Sequence, residues 1–304
     1  MSREERAEGM KILHATDGST ASKEGQRLIA SLFDPATTSV DVYSVHPEVL
    51  YSVPVVDYSY ELERLDVGPF DAEEIARESA EHLAEAGFTV TSSSDRGDPA
   101  THILQKLQDE KHELVVLGGS HTTWMGTLLL GSVSMHVLHH AACSVAVAHN
   151  APTGTTKVLV AADGSEGSSI AIDVATKVLD RSKCSIRVAT AVWEPWVPVA
   201  VYPPTLPLRS HVAYEVEQNR LVERAWETVE RARAQLNAAG FESDGAVLLG
   251  KAGPQLLKEA DNFGADLVVA GSRGLGPVRR AYLGSVSDQI VRHSAAALIG
   301  RMPK

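Results

Sequence analysis

The pentapeptide Leu130-Gly131-Ser132-Val133-Ser134 returns 153 residues later as Leu283-Gly284-Ser285-Val286-Ser287, and the register holds elsewhere. Ala86-Gly87-Phe88 is repeated as Ala239-Gly240-Phe241, and Leu114-Val115-Val116 as Leu267-Val268-Val269. Near the start of each half, Thr16-Asp17-Gly18-Ser19 corresponds to Ala162-Asp163-Gly164-Ser165 at a shift of 146. The second copy therefore gains seven residues, which the Pro-rich segment Trp193 to Arg209 accommodates. This repetition constrains the 304-residue chain more than its length does, because the same unit must be built twice. The expected domains are residues 1–151 and 152–304, each long enough to bury its own core from a chain that is 44% hydrophobic.

Each copy alternates strand and helix. Ile12 to Ala15 and Val158 to Ala162 are short apolar runs stopped by Asp-Gly-Ser. Helical spacing follows at Leu28, Ile29 and Leu32, and at Ile170, Val174, Val178 and Leu179. Second strands are expected at Val40 to Val45 and Ile186 to Val192, before a long helix carrying Leu221, Ala225, Val229, Ala232 and Leu236. Gly87 and Gly240 stand where a left-handed helix C-cap is expected. Third strands near Phe88 to Ser92 and Phe241 to Leu249 precede helices through Ile103 to Leu107 and Leu256 to Ala260. Leu114 to Leu117 and Leu267 to Ala270 are fourth strands. Last helices at Val133 to His140 and Val286 to His293 lead to fifth strands at Ser144 to Ala148 and Ala297 to Gly300. Strands separated by helices pair in parallel through right-handed crossovers, so the fold class is α/β: two tandem doubly wound domains, each a five-stranded parallel sheet flanked by helices. Ligands of such sheets bind outside the carboxyl ends of the strands, where the winding reverses.

Charge narrows the ligand. The net charge of −11 argues against a nucleic-acid partner, since such a surface repels a phosphate backbone. The first copy carries 10 Lys/Arg against 23 Asp/Glu, a balance of −13, and the second 18 against 16, a balance of +2. If an anionic ligand binds, the second copy is thus favoured. No apolar run reaches membrane-spanning length and the first ten residues are charged, so neither a membrane span nor secretion is predicted. Cys143 and Cys184 lack metal-ligand spacing and read as small hydrophobes of a protein in the reducing cytoplasm. His136, His139 and His140 have a spacing that could face a metal, but Arg292 replaces His139 in the repeat, and a structural helix end is the preferred reading.

The loop after the fourth strand of the second copy runs Gly271-Ser272-Arg273-Gly274, then nine residues, then Gly284-Ser285 at the start of the last helix. Glycines let a backbone approach phosphate oxygens and tolerate positive φ, and a helix N-terminus attracts negative charge. Arg273, Arg279 and Arg280 add cations. Ser285 with Asp288 also matches a capping box, so the alternative is a tight turn plus N-cap.

This G-x2-G-x9-G-S spacing between a strand and a helix, with Asp163 after the first strand, resembles the universal stress protein family. The resemblance extends over both copies through the Asp-Gly-Ser turns, the Ala-Gly-Phe helix ends, the Gly97-Asp98-Pro99 and Gly253-Pro254 turns and the repeated pentapeptide. It implies a Rossmann-like fold related to the adenine nucleotide alpha hydrolases, binding ATP, or AMP or ADP, with magnesium or manganese. Gly271, Gly274, Gly284, Ser285, Val286 and Ser287 would hold the phosphates beside Arg273, with Asp163 near ribose and adenine and Ala161 and Ala191 lining the adenine pocket. The family commonly pairs fifth strands across a two-fold axis, which here implies pairing of the two copies within the chain as a pseudo-dimer, with a homodimer of the whole chain also open.

The first copy departs from the loop pattern: counting back from Gly131 puts His121 or Thr122 where the second glycine belongs, and no Lys or Arg lies between Gly118 and Ser134. One competent site, in the second copy, is expected. The functional expectation is a nucleotide-dependent regulator in the stress response. A slow ATPase, with Asp288 or Arg273 orienting water, is the enzymatic alternative, for no P-loop or nucleophile elbow occurs. A nucleotide-independent scaffold is the other, working through the aromatic segments that follow each second strand, His46 to Phe70 and Trp193 to Arg209, which could equally be lids.

Overall fold

The computed structural model describes residues 9–54, 60–66, 71–119, 123–124, 127–128, 130–193, 209–274 and 283–301. They form two units, one from the chain up to Thr153 and one built from Gly154–Thr176 and Arg181–Arg301.

The first unit contains strands β1 (Met10–Ala15), β2 (Thr38–Pro54), β3 (Tyr60–Asp66), β4 (Thr89–Gly97), β5 (Leu114–Gly118) and β8 (Ser144–Ala148), with helices α1 (Thr20–Leu32), α2 (Ala72–Glu85), α3 (Pro99–Asp109) and α4 (Ser132–His140). A two-stranded hairpin, β6 (Thr123–Trp124) and β7 (Thr127–Leu128), precedes α4. The parallel strands run in the order β4-β2-β1-β5-β8. In the second unit β9 (Thr156–Ala161), β10 (Cys184–Val192), β11 (Ser243–Leu249), β12 (Leu267–Gly271) and β13 (Ala296–Gly300) run in the order β11-β10-β9-β12-β13, all parallel. Helices α5 (Glu166–Val178), α6 (Arg209–Ala238), α7 (Ala252–Phe263) and α8 (Ser285–His293) connect them. Both sheets thus place their strands third, second, first, fourth, fifth.

The elements follow the apolar periodicity. Leu28, Ile29 and Leu32 of α1 and Ala225, Val229, Ala232 and Leu236 of α6 are buried, as a stripe facing a sheet must be. Gly87 and Gly240 take φ of +95° and +84° after their helices, the left-handed stop anticipated there. One aromatic segment contains a strand pair that the sequence does not announce. The part of His46 to Phe70 within the described residues continues β2 to Pro54 and pairs it antiparallel with β3. Val49, Tyr51 and Val53 alternate with other residues there, a pattern that favours a pleated ribbon over a loop. Of the corresponding segment Trp193 to Arg209, only its first and last residues fall within the described residues.

Candidate functional site

Where β9 and β12 separate the two directions of winding, the second unit encloses a cavity of about 480 Å³. The strand ends contribute Ala161, Ala189, Ala191, Ala270 and Gly271, and α7 contributes Ala252 and Leu256. Ala162 and Asp163 line it from the turn after β9, and Arg273, Gly274, Leu283, Gly284, Ser285, Val286 and Ser287 from the loop and the start of α8. All ten residues singled out in the sequence therefore surround one cavity. Arg279 and Arg280 lie outside the described residues, as do His121 and Thr122 of the first copy.

Asp163 is placed by its own turn. Its Oδ1 accepts the Ser165 N–H at 2.9 Å, and Gly164 takes φ +76°, which an L side chain would strain. Ser165 Oγ then accepts the Ser168 N–H at 3.2 Å at the start of α5. Asp17, Gly18, Ser19 and Ser22 repeat this geometry in the first unit. Burial pushes the Asp17 carboxyl up, but hydrogen bonds from Ser19 and Ser22 outweigh it and hold it below the usual carboxylate range.

The loop glycines serve a purpose other than the positive φ anticipated from sequence. Gly271, Gly274 and Gly284 all lie outside the left-handed region. Close approach demands them. A Cβ on Gly271 would stand 2.6 Å from the Gly167 carbonyl carbon and 2.7 Å from the Ser168 nitrogen. On Gly274 it would meet Asp163 Oδ2 at 2.5 Å, and on Gly284 the Ser272 carbonyl oxygen at 3.2 Å.

The capping box, the alternative reading of Ser285 and Asp288, is not formed. Gly284, not Ser285, is the N-cap of α8, and no side chain bonds the first amides. Ser285 is already helical, so its hydroxyl is one position too late to cap, and Asp288 instead accepts two hydrogen bonds from Arg292 Nε at 3.0 and 2.9 Å. The helix therefore presents free N–H groups and the positive end of its dipole to the cavity. Ser287 is also turned to another task. It is buried, and its hydroxyl donates to the Gly271 carbonyl at 2.7 Å, fastening the loop to the helix. Gly284 N–H to Ser272 O and Ser272 N–H to Gly300 O, both 2.9 Å, complete the fastening. Ser134 donates to the Gly118 carbonyl at 2.9 Å in the first copy.

The sequence model of the universal stress protein family matches this chain twice, over residues 10–149 and 154–299. The chain belongs to the universal stress protein family. It is similar to a universal stress protein of Mycolicibacterium smegmatis, 28% identical over 222 residues, 72% of this chain and 70% of that protein. A universal stress protein of Methanocaldococcus jannaschii is 30% identical over 140 residues, 45% of this chain and 80% of its own length. Among solved structures, a universal stress protein of Archaeoglobus fulgidus superposes with a TM-score of 0.63 at 20% identity, covering 96% of this chain and 98% of that one, a likeness of fold.

In this tandem universal stress protein, sequence reasoning missed Ala189, Ala252, Leu256 and Ala270 as cavity residues. Alanine in a strand carries no chemical signal; only the shift of 146 or 153 between copies could have drawn attention to it. It also missed a charge cluster in the first unit that is buried at Asp41 and His112 and reaches the surface at Glu110 and Lys11. Lys106 Nζ lies 3.2 Å from Asp41 Oδ2 and 2.6 Å from Glu110 Oε1, and Lys11 Nζ lies 2.7 Å from Glu110 Oε2. His112 Nε2 is 3.3 Å from Asp41 Oδ2. Although Asp41, Glu110 and His112 are close enough to share a cation, two ammonium groups already balance the carboxylates. Burial pushes the Asp41 carboxyl up, but His112 and Lys106 outweigh it and hold it below the usual range. His136 and His140 stack, with ring centroids 4.2 Å apart. Cys143 is buried and Cys184 half-buried. No described helix is long and apolar enough to cross a membrane.

Proposed function

We propose that the second unit binds ATP and that the chain acts as a nucleotide-dependent regulator rather than an efficient catalyst. The observation that carries this reading is the alanine-lined cavity whose far end is a glycine turn and an uncapped helix N-terminus. Small apolar residues at Ala161, Ala189, Ala191 and Ala270 suit a flat purine, and the amides of Gly274, Ser285 and Val286 suit phosphate oxygens, with Arg273 adding a positive charge. Asp163, which lines the same cavity, would accept ribose hydroxyls. A magnesium or manganese ion would be held mainly by the phosphates and water, because Asp163 is the one carboxylate among the cavity residues described.

Two observations favour regulation over hydrolysis. Asp288, the acidic candidate for orienting water, spends its carboxylate on Arg292. Ser287 is spent on the loop. Unfolding in ATP-Mg at 100 times Kd should show about 2.7 kcal/mol of added stability, and no added stability with any adenine nucleotide would overturn the reading. Ser287→Ala should weaken ATP binding about five-fold, corresponding to about 1 kcal/mol for a buried carbonyl left unpaired, while Ser287→Thr restores it. Titration calorimetry measures both.

A further inference from the structure

The two copies superimpose by register, so the chain contains its own control for what makes a site. Ala15 pairs with Tyr43 as Ala161 pairs with Ala189, and Thr16 N–H reaches the Tyr43 carbonyl at 2.9 Å as Ala162 N–H reaches that of Ala189 at 3.0 Å. Tyr43 therefore occupies the strand position of the cavity-lining Ala189. Two residues on, Val45 replaces Ala191. At the fourth residue of the fourth strand Leu117 replaces Ala270, and at the first residue of the following helix Pro99 replaces Ala252. All four substitutions enlarge the side chain. Tyr43 is fixed in place: it is 3% exposed, its hydroxyl donates to Asp95 Oδ2 at 2.7 Å, and Lys106 Nζ lies 4.9 Å from the ring centroid. Other parts of a phosphate cradle persist in the first copy. Gly118 ends its strand, Ser134 fastens that glycine's carbonyl, and α4 starts at Gly131 with no side-chain cap.

We infer that the side chains at the base end, Tyr43 above all, exclude a purine from the first copy, and that Ala189 is the specificity-determining residue of the second, independently of the glycine loop. A phenol ring at this register would intrude on the base end of a cavity of about 480 Å³, and close-packed interiors do not absorb such a volume. The inference rests on the nucleotide reading above and names which residues select for it.

The test counts ATP bound per full-length chain by equilibrium dialysis and titration calorimetry. Wild type should bind one. Ala189→Tyr should bind at least 100-fold more weakly while keeping the wild-type far-ultraviolet spectrum. Should that variant fail to fold, Ala270→Leu, the residue the first copy carries, is read in its place with the same expectation. A chain in which residues 118–134 are exchanged for a second copy of 271–287 should still bind only one ATP, because the loop alone does not open a base pocket. Undiminished binding by a folded Ala189→Tyr or Ala270→Leu variant, or a second ATP on the loop-exchanged chain, overturns the inference while leaving the nucleotide reading intact. A wild-type chain that binds no adenine nucleotide removes both.

Discussion

Between pH 7 and pH 4 the wild-type chain is expected to lose about 3 kcal/mol of stability that a His14→Val variant keeps. His14 lies on β1, fully buried, with Nδ1 3.4 Å from the Val116 carbonyl and Nε2 without a hydrogen-bond partner. Burial lowers its pKa from 6.5 to about 4, against smaller upward pulls from the Val116 carbonyl and the Asp17 charge. The imidazole is thus neutral in the folded chain over a range in which it is protonated in the unfolded one. The unfolded state binds the extra proton, so this residue's effect is absent above pH 6.5, destabilises progressively as pH falls, and is complete below about 4. Val160 fills the same register in the second copy and is buried among apolar neighbours, which makes valine the natural replacement. Removing the unpartnered nitrogen also spares its desolvation, so the variant should be no less stable at pH 7. Urea unfolding at half-unit pH intervals gives the difference directly. Parallel curves for the two proteins would show that His14 does not titrate as its burial requires.

Gly271→Ala should lose the ATP-dependent stabilisation entirely and destabilise the unliganded chain by about 1 to 3 kcal/mol. The new methyl group would press on the backbone of Gly167 and Ser168 at 2.6 and 2.7 Å, atoms of α5 that have no rotamer to yield. Either α5 moves away from the sheet or the turn opens, and both shift the Gly271 carbonyl off Ser287. Gly118→Ala is the control. Its Cβ would meet the Ala21 carbonyl of α1 more closely still, so it should cost at least as much stability while leaving the ligand shift of the second unit in place. Thermal unfolding of both variants with and without ATP-Mg separates the two effects. Retention of the full ligand shift by a folded Gly271→Ala chain would mean that the turn does not hold phosphate.

Much of the architecture was legible because it rests on local chemistry that the chain states twice. Asp-Gly-Ser specifies an Asx turn with a left-handed glycine and a serine N-cap, and Ala-Gly-Phe specifies a left-handed helix end; both appear where their spelling puts them. The loop glycines are legible by spacing; of close approach and positive φ, the two properties expected of them, they show no positive φ, and what their backbones approach closely is the chain's own Gly167, Ser168, Asp163 and Ser272. The hairpin of β2 and β3 is not legible in the sequence, because pairing depends on a partner strand that local pattern does not name.

By itself, then, the sequence determined the duplication, the alternation of strands and helices, and the loop that carries the candidate chemistry, since each is written in short-range spacing. Only the tertiary structure decided which residues share a cavity and which hydroxyls are already committed, Ser287 to Gly271 and Asp288 to Arg292 in place of a cap. It alone set four alanines of one copy against Tyr43, Val45, Pro99 and Leu117 of the other. The physical reason is that volume and hydrogen-bond commitment belong to groups brought together from distant parts of the chain, and no single segment encodes what will fill the space beside it.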